Sequence, residues 1–426
     1  MLLKIKNLSS DSKTLLSNFF SLSVLQGINM ILPLVTLPYL TRVLGVEKFG
    51  LINFVLSIIM YFNILVSFGF ELSATREISV NRDNLKKVSE IFSSVMLIKL
   101  ILALLSFLIL LILTTYIDSF NQYSALYFVT FGLIIGNLLA ATWFFQGMEK
   151  MKYITYINVS SRVFFTILIF VFVKDSSDYM WVPLLNSIGA LVAGVYSVLL
   201  IFRMYNIKLK LPTLDTIIYY LKDSYYFFLS RVANNGSRYY AITIIGIYFG
   251  NTIVGYYSMV EKLFYAFLSL GGIVSQTIYP YMSRTKNIKF FKKLLFAIIL
   301  LSTVMLIFMI YFNKDILLLV FGIENQVLIN IFLLIFSGAI FAIASIMVGY
   351  PFLAAFGYIK YANNSLIYAS IIYIAYITIV TILFKNIYLT VLSLMVYELS
   401  GLIFRLYYIN RVKYNLHKEK NEKQNQ

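Results

Sequence analysis

Cysteine is absent from this 426-residue chain, and histidine occurs once, as His417 near the C-terminus. The lack of cysteine excludes a disulfide framework and a cysteine metal site. Charged residues are also scarce, at 12% against about 25% in soluble domains. Motifs for catalysis, metal ligation and ATP binding are missing as well. These absences predict a protein that is neither an enzyme nor an ATP-driven pump, and that needs no metal or cofactor.

Hydrophobic residues make up 60% of the chain, and they form runs of the roughly 20 residues that a membrane-spanning helix needs. The first six predicted spans are 17–40, 50–71, 91–113, 125–145, 154–173 and 181–202. The second six are 225–248, 256–280, 292–312, 326–350, 363–384 and 387–409. We therefore predict an all-α integral membrane protein of about 12 transmembrane helices. The predicted domains are an N-terminal six-helix bundle (1–202), a cytoplasmic loop (203–224), a C-terminal bundle (225–410) and a cytoplasmic basic tail (411–426).

The distribution of Lys and Arg predicts the orientation. With the N-terminus inside, 25 of the 35 basic residues fall in cytoplasmic segments and five in outer segments, when Arg405 and Arg411 are counted with the C-terminal segment. Positive residues accumulate on the cytoplasmic side of membrane proteins. We therefore expect both termini in the cytoplasm, and the net charge of +17 requires no nucleic-acid partner.

The two halves of the chain align with an offset of 205 residues. This alignment matches Asn29 with Asn234, Gly45 with Gly250 and Gly50 with Gly255. Glycine is common at membrane turns, so the six-plus-six count of spans is the stronger argument. Together they predict two similarly oriented repeats.

A small set of charged residues lies inside the predicted spans. Its members are Lys99, Arg162, Arg231, Arg238 and Lys262, with Glu261 and Glu398. A charge at the centre of a bilayer costs about 2.5–3.5 kcal/mol on insertion scales, and such residues are usually functional or paired. They are the first candidates for a substrate site.

The segment SRVANNGSRYY places Arg231, Asn234, Asn235 and Arg238 at i, i+3, i+4 and i+7, which is one face of a continuous helix. This polar stripe has two positive charges and no acid of its own, so it favours an anion such as the phosphates of a lipid-linked substrate. The alternative is that both arginines pair with Glu261, Glu398 or free carbonyls and hold helices together.

Other charged positions allow two interpretations each. Lys99 and Arg162 lie near the cytoplasmic ends of their spans, so they either line the substrate site or extend to the membrane surface. Lys262 follows Glu261 directly, which favours an internal ion pair. Glu398 is the mid-membrane acid that suits coupling to a proton or sodium gradient, and it equally suits pairing with an arginine.

The first span contains Pro33 and Pro38, and each proline removes a helical hydrogen bond. We expect this helix to bend, either as a fixed kink or as a moving gate. Gln26 and Asn29 are three residues apart on the same helix and are predicted to face the polar stripe.

Three segments carry a family resemblance: NFFSLSVLQGINMILPLVTLPYLTRVLGVEKFGLINF (18–54), GFELSATREIS (69–79) and ATWFFQGMEKM (141–151). They resemble the polysaccharide repeat-unit flippases, or O-antigen transporters, of the superfamily that includes multidrug exporters and lipid II flippases. The resemblance implies two six-helix bundles in a V with a central cationic cavity that opens alternately to the two sides.

The resemblance also implies a cargo, an undecaprenyl-pyrophosphate-linked oligosaccharide moved from the inner to the outer leaflet of the cytoplasmic membrane for surface polysaccharide, such as lipopolysaccharide. A polysaccharide polymerase and a chain-length regulator would be its protein partners. A cation-coupled multidrug antiporter is the alternative within the same superfamily. A positively lined cavity disfavours that alternative, because it repels cationic drugs.

Overall fold

The computed structural model describes the backbone of residues 10–424, and the side chains of residues 21, 24, 25, 27, 28, 31–233 and 235–411. All secondary structure in this part of the chain is helical, so the all-α prediction is confirmed there. The chain divides into two compact units, Met1–Tyr239 and Tyr240–Gln426.

The first unit is built from long apolar helices joined by short turns. Its helices are α1 (Ser10–Ser67), α2 (Phe70–Asn81), α3 (Leu85–Tyr116), α4 (Asp118–Asn121), α5 (Ser124–Leu139), α6 (Thr142–Gly147), α7 (Met151–Phe172), a 3₁₀ turn (Ser176–Met180), α8 (Trp181–Tyr205) and α9 (Leu214–Arg231). A π-helical turn, Val232–Gly236, then leads into α10 (Ser237–Phe249), which continues into the second unit.

The second unit follows the same pattern. It contains α11 (Asn251–Thr285), α12 (Ile288–Tyr311), α13 (Asn313–Phe321), α14 (Gln326–Phe336), α15 (Ala339–Val348), a π-helical turn (Gly349–Ala354), α16 (Ile359–Phe384), α17 (Ile387–Val391) and α18 (Ser393–Gln424).

Ten helical segments within the described residues are long and apolar enough to cross a membrane, so the count of twelve is not confirmed. Two features explain the difference. The first predicted span (17–40) and most of the second (50–71) lie in one helix, α1 (Ser10–Ser67), and this region is counted once, as the segment Ile31–Asn81. The predicted seventh span lies in α9, which carries four charged residues, and in α10, which has 13 residues.

Gly45 and Gly250 share an unusual backbone conformation. Gly45 interrupts α1 with φ 75° and ψ 166°, and Gly250 precedes α11 with φ 82° and ψ 175°. Residues with a side chain rarely adopt this region, and a Cβ at either position would meet no atom within 4 Å. The backbone conformation therefore requires these glycines. Its recurrence at aligned positions supports the predicted repeat.

The segment predicted as a cytoplasmic loop, 203–224, is partly helical. Pro212 and Thr213 precede α9, and the Thr213 hydroxyl accepts a hydrogen bond from the Thr216 amide at 3.3 Å. Such a cap satisfies one of the free amides at a helix start. Helix α9 and the π turn both belong to the first compact unit, which extends to Tyr239.

Small residues allow close helix packing in the first unit. A Cβ at Gly132 would lie 2.8 Å from the Ser187 Cβ, and one at Gly136 would lie 2.4 Å from the Ala190 carbonyl carbon. Helices α5 and α8 are therefore in near backbone contact, as expected for a small-residue motif.

Candidate functional site

Arg231, the last residue of α9, forms an ion pair with Glu71 in the first turn of α2. The two side chains are 37% and 38% exposed. The predicted polar stripe contains no acidic residue. Glu261 and Glu398 were the acids predicted as structural partners of its arginines. For Arg231 the observed acid is Glu71, which belongs to the GFELSATREIS segment and was not among the predicted site residues.

Several contacts hold α9 against α2. The Arg76 guanidinium donates to Asp223 at 2.7 Å, and the Ser73 and Ser224 hydroxyls are hydrogen-bonded at 2.6 Å. A Cβ at Gly69 would lie 2.7 Å from the Phe227 Cβ. Gly69 has φ 76°, so both its conformation and this close approach require glycine. The position of Arg231 is therefore fixed by the helix that carries Glu71.

The π turn changes the geometry of the predicted polar stripe. A π turn contains more residues per turn than an α-helix, so the one-face spacing from Arg231 to Arg238 does not hold across Val232–Gly236. Asn235 is partly buried and Arg238 is exposed. The Tyr61 hydroxyl donates to the Gly236 carbonyl at 3.2 Å. The side chains of Asn234, Gln26 and Asn29 lie outside the described residues.

Lys99 is buried, with 4% of its surface exposed. Its Nζ donates to the carbonyl oxygens of Asn137 at 3.2 Å and Leu138 at 3.3 Å. The alternative in which Lys99 extends to the membrane surface is therefore wrong, because α3 directs this side chain into the interior of the first unit. Lys99 is also a predicted site residue, and in the structure its ammonium group is bound to these two carbonyls.

The carbonyls that Lys99 binds are the ones left free where a helix stops. Helix α5 ends at Leu139, and the amides of Ala141 and Thr142 bond to carbonyls only two residues back. In a continuous helix those two amides would have bonded to Asn137 and Leu138. The ammonium group of Lys99 thus completes the end of α5, where a positive charge is also favoured by the helix dipole.

Replacing Lys99 by Met is expected to lower the free energy of unfolding by about 1–3 kcal/mol, because buried carbonyls lose their donor. Lys99→Arg keeps donors and should lose less. Chemical denaturation in detergent micelles measures both. Lys86→Met, which removes an exposed lysine from the same helix, is the matched control. Equal stability of the two Met variants would contradict the assignment.

We define the polar cluster of the first unit as Asn63, Glu71, Lys99, Asn137 and Arg231. The Asn137 side-chain amide donates to the Asn63 amide oxygen at 3.2 Å, and the charge of Glu71 acts on Lys99. Asn63, Glu71 and Asn137 were missed by sequence analysis. The two asparagines could have been predicted, because each is a polar residue inside an apolar span.

Arg162 is exposed on α7, in line with Asn158 and Thr166 at intervals of four residues. The neighbouring Ser161 hydroxyl donates to the Gly189 carbonyl at 2.6 Å, which ties the other side of α7 to α8. Arg162 therefore lies beside the contact between α7 and α8, and it is not one of the five residues that define the polar cluster.

Arg405 is buried in the second unit, with 4% of its surface exposed. Its guanidinium donates to the Ser345 carbonyl, to the Ser345 hydroxyl at 2.7 Å and to the Ser365 hydroxyl at 3.1 Å. A Cβ at Gly349 would lie 2.8 Å from the Arg405 Cζ. This side chain therefore joins α15, α16 and α18, and its assignment to the cytoplasmic side stays a prediction.

Glu398 lies two helical turns before Arg405 on α18 and is 9% exposed. Arg405 acts on it electrostatically, and the carboxylate has no hydrogen-bond partner among the described residues. Glu261 on α11 is 2% exposed, whereas its neighbour Lys262 is partly exposed. The structure thus provides two buried acids in the second unit. No group of three or more His, Asp or Glu among the described residues is arranged to hold a metal ion.

Pro33 and Pro38 lie inside α1, where the position with non-helical dihedral angles is Gly45. The hydroxyls of Thr36 and Thr41 each donate to the carbonyl four residues back, at 3.0 Å. The observed break in the helical dihedral angles of α1 is therefore at the glycine, and a bend at the prolines stays a prediction. A gating role for the prolines stays a prediction.

The segments ATREIS and WFFQG, which carry the family resemblance, contact each other. The Thr75 hydroxyl donates to the Trp143 carbonyl at 3.2 Å, and a Cβ at Gly147 would lie 2.6 Å from the Ile78 Cβ. Arg82 and Glu149 form an ion pair at 3.0 Å. These motifs therefore build the scaffold that positions α2, and with it Glu71.

Comparison with solved structures shows the fold. A lipid II flippase, MurJ, in an inward closed conformation matches with a TM-score of 0.73 and 15% identity, over 91% of this chain and 87% of that chain. An inward-facing multidrug resistance transporter of the MATE family and MOP superfamily matches with a TM-score of 0.67 and 13% identity, over 92% of this chain and 98% of that chain. At these identities the likeness concerns the fold.

Comparison with sequences shows the family. An Escherichia coli (strain K12) protein provisionally named as an O-antigen transporter is 31% identical over 65% of this chain and 67% of its own length. A Shigella dysenteriae protein with the same provisional name is 28% identical over 65% of this chain and 69% of its own length. The family model described as polysaccharide biosynthesis protein matches residues 15–286. This multi-pass membrane protein therefore belongs to the polysaccharide biosynthesis protein family.

Proposed function

We propose that the protein is a flippase for undecaprenyl-pyrophosphate-linked oligosaccharide repeat units. It moves them from the inner to the outer leaflet of the cytoplasmic membrane by alternating access, in the biosynthesis of a surface polysaccharide. Its role is translocation and not covalent chemistry. Both termini lie in the cytoplasm, and a polymerase and a chain-length regulator are the expected partners.

One observation carries this proposal: a half-exposed arginine, Arg231, belongs to a polar cluster inside a unit of otherwise apolar helices. Arginine matches phosphate oxygens with two parallel hydrogen bonds. In the proposal, Arg231 and Arg238 bind the pyrophosphate. The amides of Asn234, Asn235, Gln26 and Asn29 donate to the phosphate or the first sugar, and Arg162 supplies further positive charge.

The names of the similar proteins support a role in transport. The relatives in Escherichia coli and Shigella dysenteriae are provisionally named as O-antigen transporters, and the solved structure with a TM-score of 0.73 is a lipid II flippase. Both kinds of name describe movement of a molecule across a membrane. The partly exposed Arg231 of the polar cluster adds the preference for an anionic cargo.

The test is the sidedness of the lipid-linked oligosaccharide in spheroplasts depleted of the protein, read with a sugar-modifying reagent that cannot cross the membrane. We expect the labelled intermediate to disappear from the outer face and accumulate inside. If it still reaches the outer face but remains unpolymerised, the protein acts after translocation and the proposal fails.

Glu398 is the proposed coupling group for a proton or sodium gradient, because its buried carboxylate lacks a hydrogen-bond partner among the described residues. We expect Glu398→Gln to reduce gradient-driven export at least tenfold and to retain substrate binding. The measurement is export before and after the gradient is collapsed with an ionophore. Glu324→Gln, which neutralises an exposed acid of the same unit, is the control. Undiminished, ionophore-sensitive export by Glu398→Gln would exclude this role.

A multidrug antiporter is the second candidate, favoured by the structural match to a multidrug transporter at a TM-score of 0.67. Gradient-driven export of a cationic dye from cells that express the protein would support it. The positive side chains of the first unit oppose it, since like charges repel most strongly in a low-dielectric site. We therefore expect no dye export above that of cells without the protein.

A further inference from the structure

Glu71 carries a negative charge beside Arg231, a cation that the proposed function assigns to the substrate. Its carboxylate is ion-paired with the Arg231 guanidinium, and its charge also acts on Lys99. Lys99 is already bound to two carbonyls at the end of α5. Glu71 therefore offsets the positive charge of Arg231 within the first unit.

The Arg231–Glu71 ion pair is accessible, whereas the cations Lys99 and Arg405 are buried. Both side chains retain more than a third of their surface, 37% for Arg231 and 38% for Glu71, whereas Lys99 and Arg405 are each 4% exposed. An exposed ion pair is weak because water competes for both partners. A phosphate oxygen can thus replace the carboxylate on Arg231 without unfolding the site.

The chemistry of the two anions favours this exchange. A carboxylate carries one negative charge, whereas a pyrophosphate diester carries one on each of two phosphates and offers more acceptor oxygens. Arginine binds both through the same pair of N–H groups. The more highly charged ligand therefore displaces Glu71, while a singly charged carboxylate gains nothing over the internal one.

We propose that Glu71 is an internal counter-anion, which the substrate's pyrophosphate displaces from Arg231 on binding and which returns to Arg231 on release. The proposal rests on the proposed function and names a specificity-determining residue for it. Glu71 lowers the affinity for every anion by the same competition, so that weak anions are rejected. Its return to Arg231 promotes release, which tight binding alone would slow.

The experiment measures binding of inorganic pyrophosphate to the purified full-length protein in lipid nanodiscs by isothermal titration calorimetry. We expect Glu71→Gln to bind pyrophosphate about tenfold more tightly than the unmodified protein, as removal of a charge-assisted competitor implies. The same variant should export the lipid-linked oligosaccharide more slowly in cells, because release is impaired. Glu71→Ser is a second charge-removing variant in case the first is misfolded.

Glu77→Gln is the matched control, because Glu77 lies on the same helix and pairs with a different arginine, Arg76, at 3.2 Å. We expect it to leave pyrophosphate affinity unchanged. In the double variant Glu71→Gln with Arg231→Gln, the gain in affinity should vanish, since the competition concerns Arg231.

The outcomes separate this proposal from the function on which it rests. If Arg231→Gln weakens binding while both Glu71 variants bind like the unmodified protein, the counter-anion proposal is overturned and the anion site stands. If Arg231→Gln leaves binding unchanged, Arg231 is not part of the anion site, and both that site assignment and the counter-anion proposal are overturned. Tighter binding by Glu77→Gln as well would reduce the effect to general electrostatics and overturn the specific role.

Discussion

Replacing Arg231 and Arg238 together by Gln is expected to abolish export of the lipid-linked oligosaccharide, with a loss greater than a hundredfold. Each charge-assisted bond to phosphate contributes about 1.5–3 kcal/mol, and about 1.4 kcal/mol corresponds to a factor of ten. Two such contacts therefore account for at least two orders of magnitude. The measurement is the labelling of outer-leaflet oligosaccharide in spheroplasts that express only the variant.

The structure offers a matched control for this double variant. Arg42 and Arg203 are also arginines of the first unit, and they are exposed on α1 and α8. Changing both to Gln removes the same charge from the same unit but outside the polar cluster. We expect this control to retain export. Equal losses in the two double variants would indicate a general effect of charge, and full export by the first would refute the site.

Replacing Arg405 by Met is expected to produce the largest loss of stability, about 3–5 kcal/mol, because it removes one partner from a buried charged network. The carbonyl and hydroxyl of Ser345 and the hydroxyl of Ser365 would lose their donor, and Glu398 would lose the cation that acts on it. The flexible Met side chain fills much of the volume, so the effect reports on polar contacts more than on a cavity.

Chemical denaturation of the purified protein in detergent measures this loss. Arg411→Met is the control on the same helix, since Arg411 is exposed, and surface substitutions usually change stability by less than about 0.5 kcal/mol. The Gly349→Ala variant should also be less stable, because the added Cβ would meet the Arg405 guanidinium. If Arg405→Met unfolds at the same denaturant concentration as Arg411→Met, the network does not hold these three helices together.

The positions of most helices were predictable from the sequence. The predicted spans 91–113 and 154–173 correspond to α3 (Leu85–Tyr116) and α7 (Met151–Phe172), because an apolar run in a bilayer must satisfy its backbone within one helix. Gly45 and Gly250 were also found, since repeated glycines mark turns that other residues disfavour. The count of twelve spans was not confirmed, in part because charged residues and a π turn weaken the apolar pattern of the predicted seventh span.

The partners of the buried charges were not predictable in this way. Lys99 binds free carbonyls because α5 stops at Leu139, and that end depends on contacts with other helices. Arg405 was counted with the C-terminal cytoplasmic segment, and the sequence did not indicate that its side chain is buried against Gly349. Glu71 was not predicted as a site residue because it lies at the end of an apolar run, near other charged residues, as solvent-exposed residues commonly do.

The sequence by itself determined that this protein spans a membrane as an all-helical chain, because apolar content and length decide which solvent a helix can face. The tertiary structure decided which charge meets which partner. Those pairings join residues far apart in the chain, such as Glu71 with Arg231 and Lys99 with Asn137. They depend on how helices turn and pack about their axes, and local residue patterns carry little information about that.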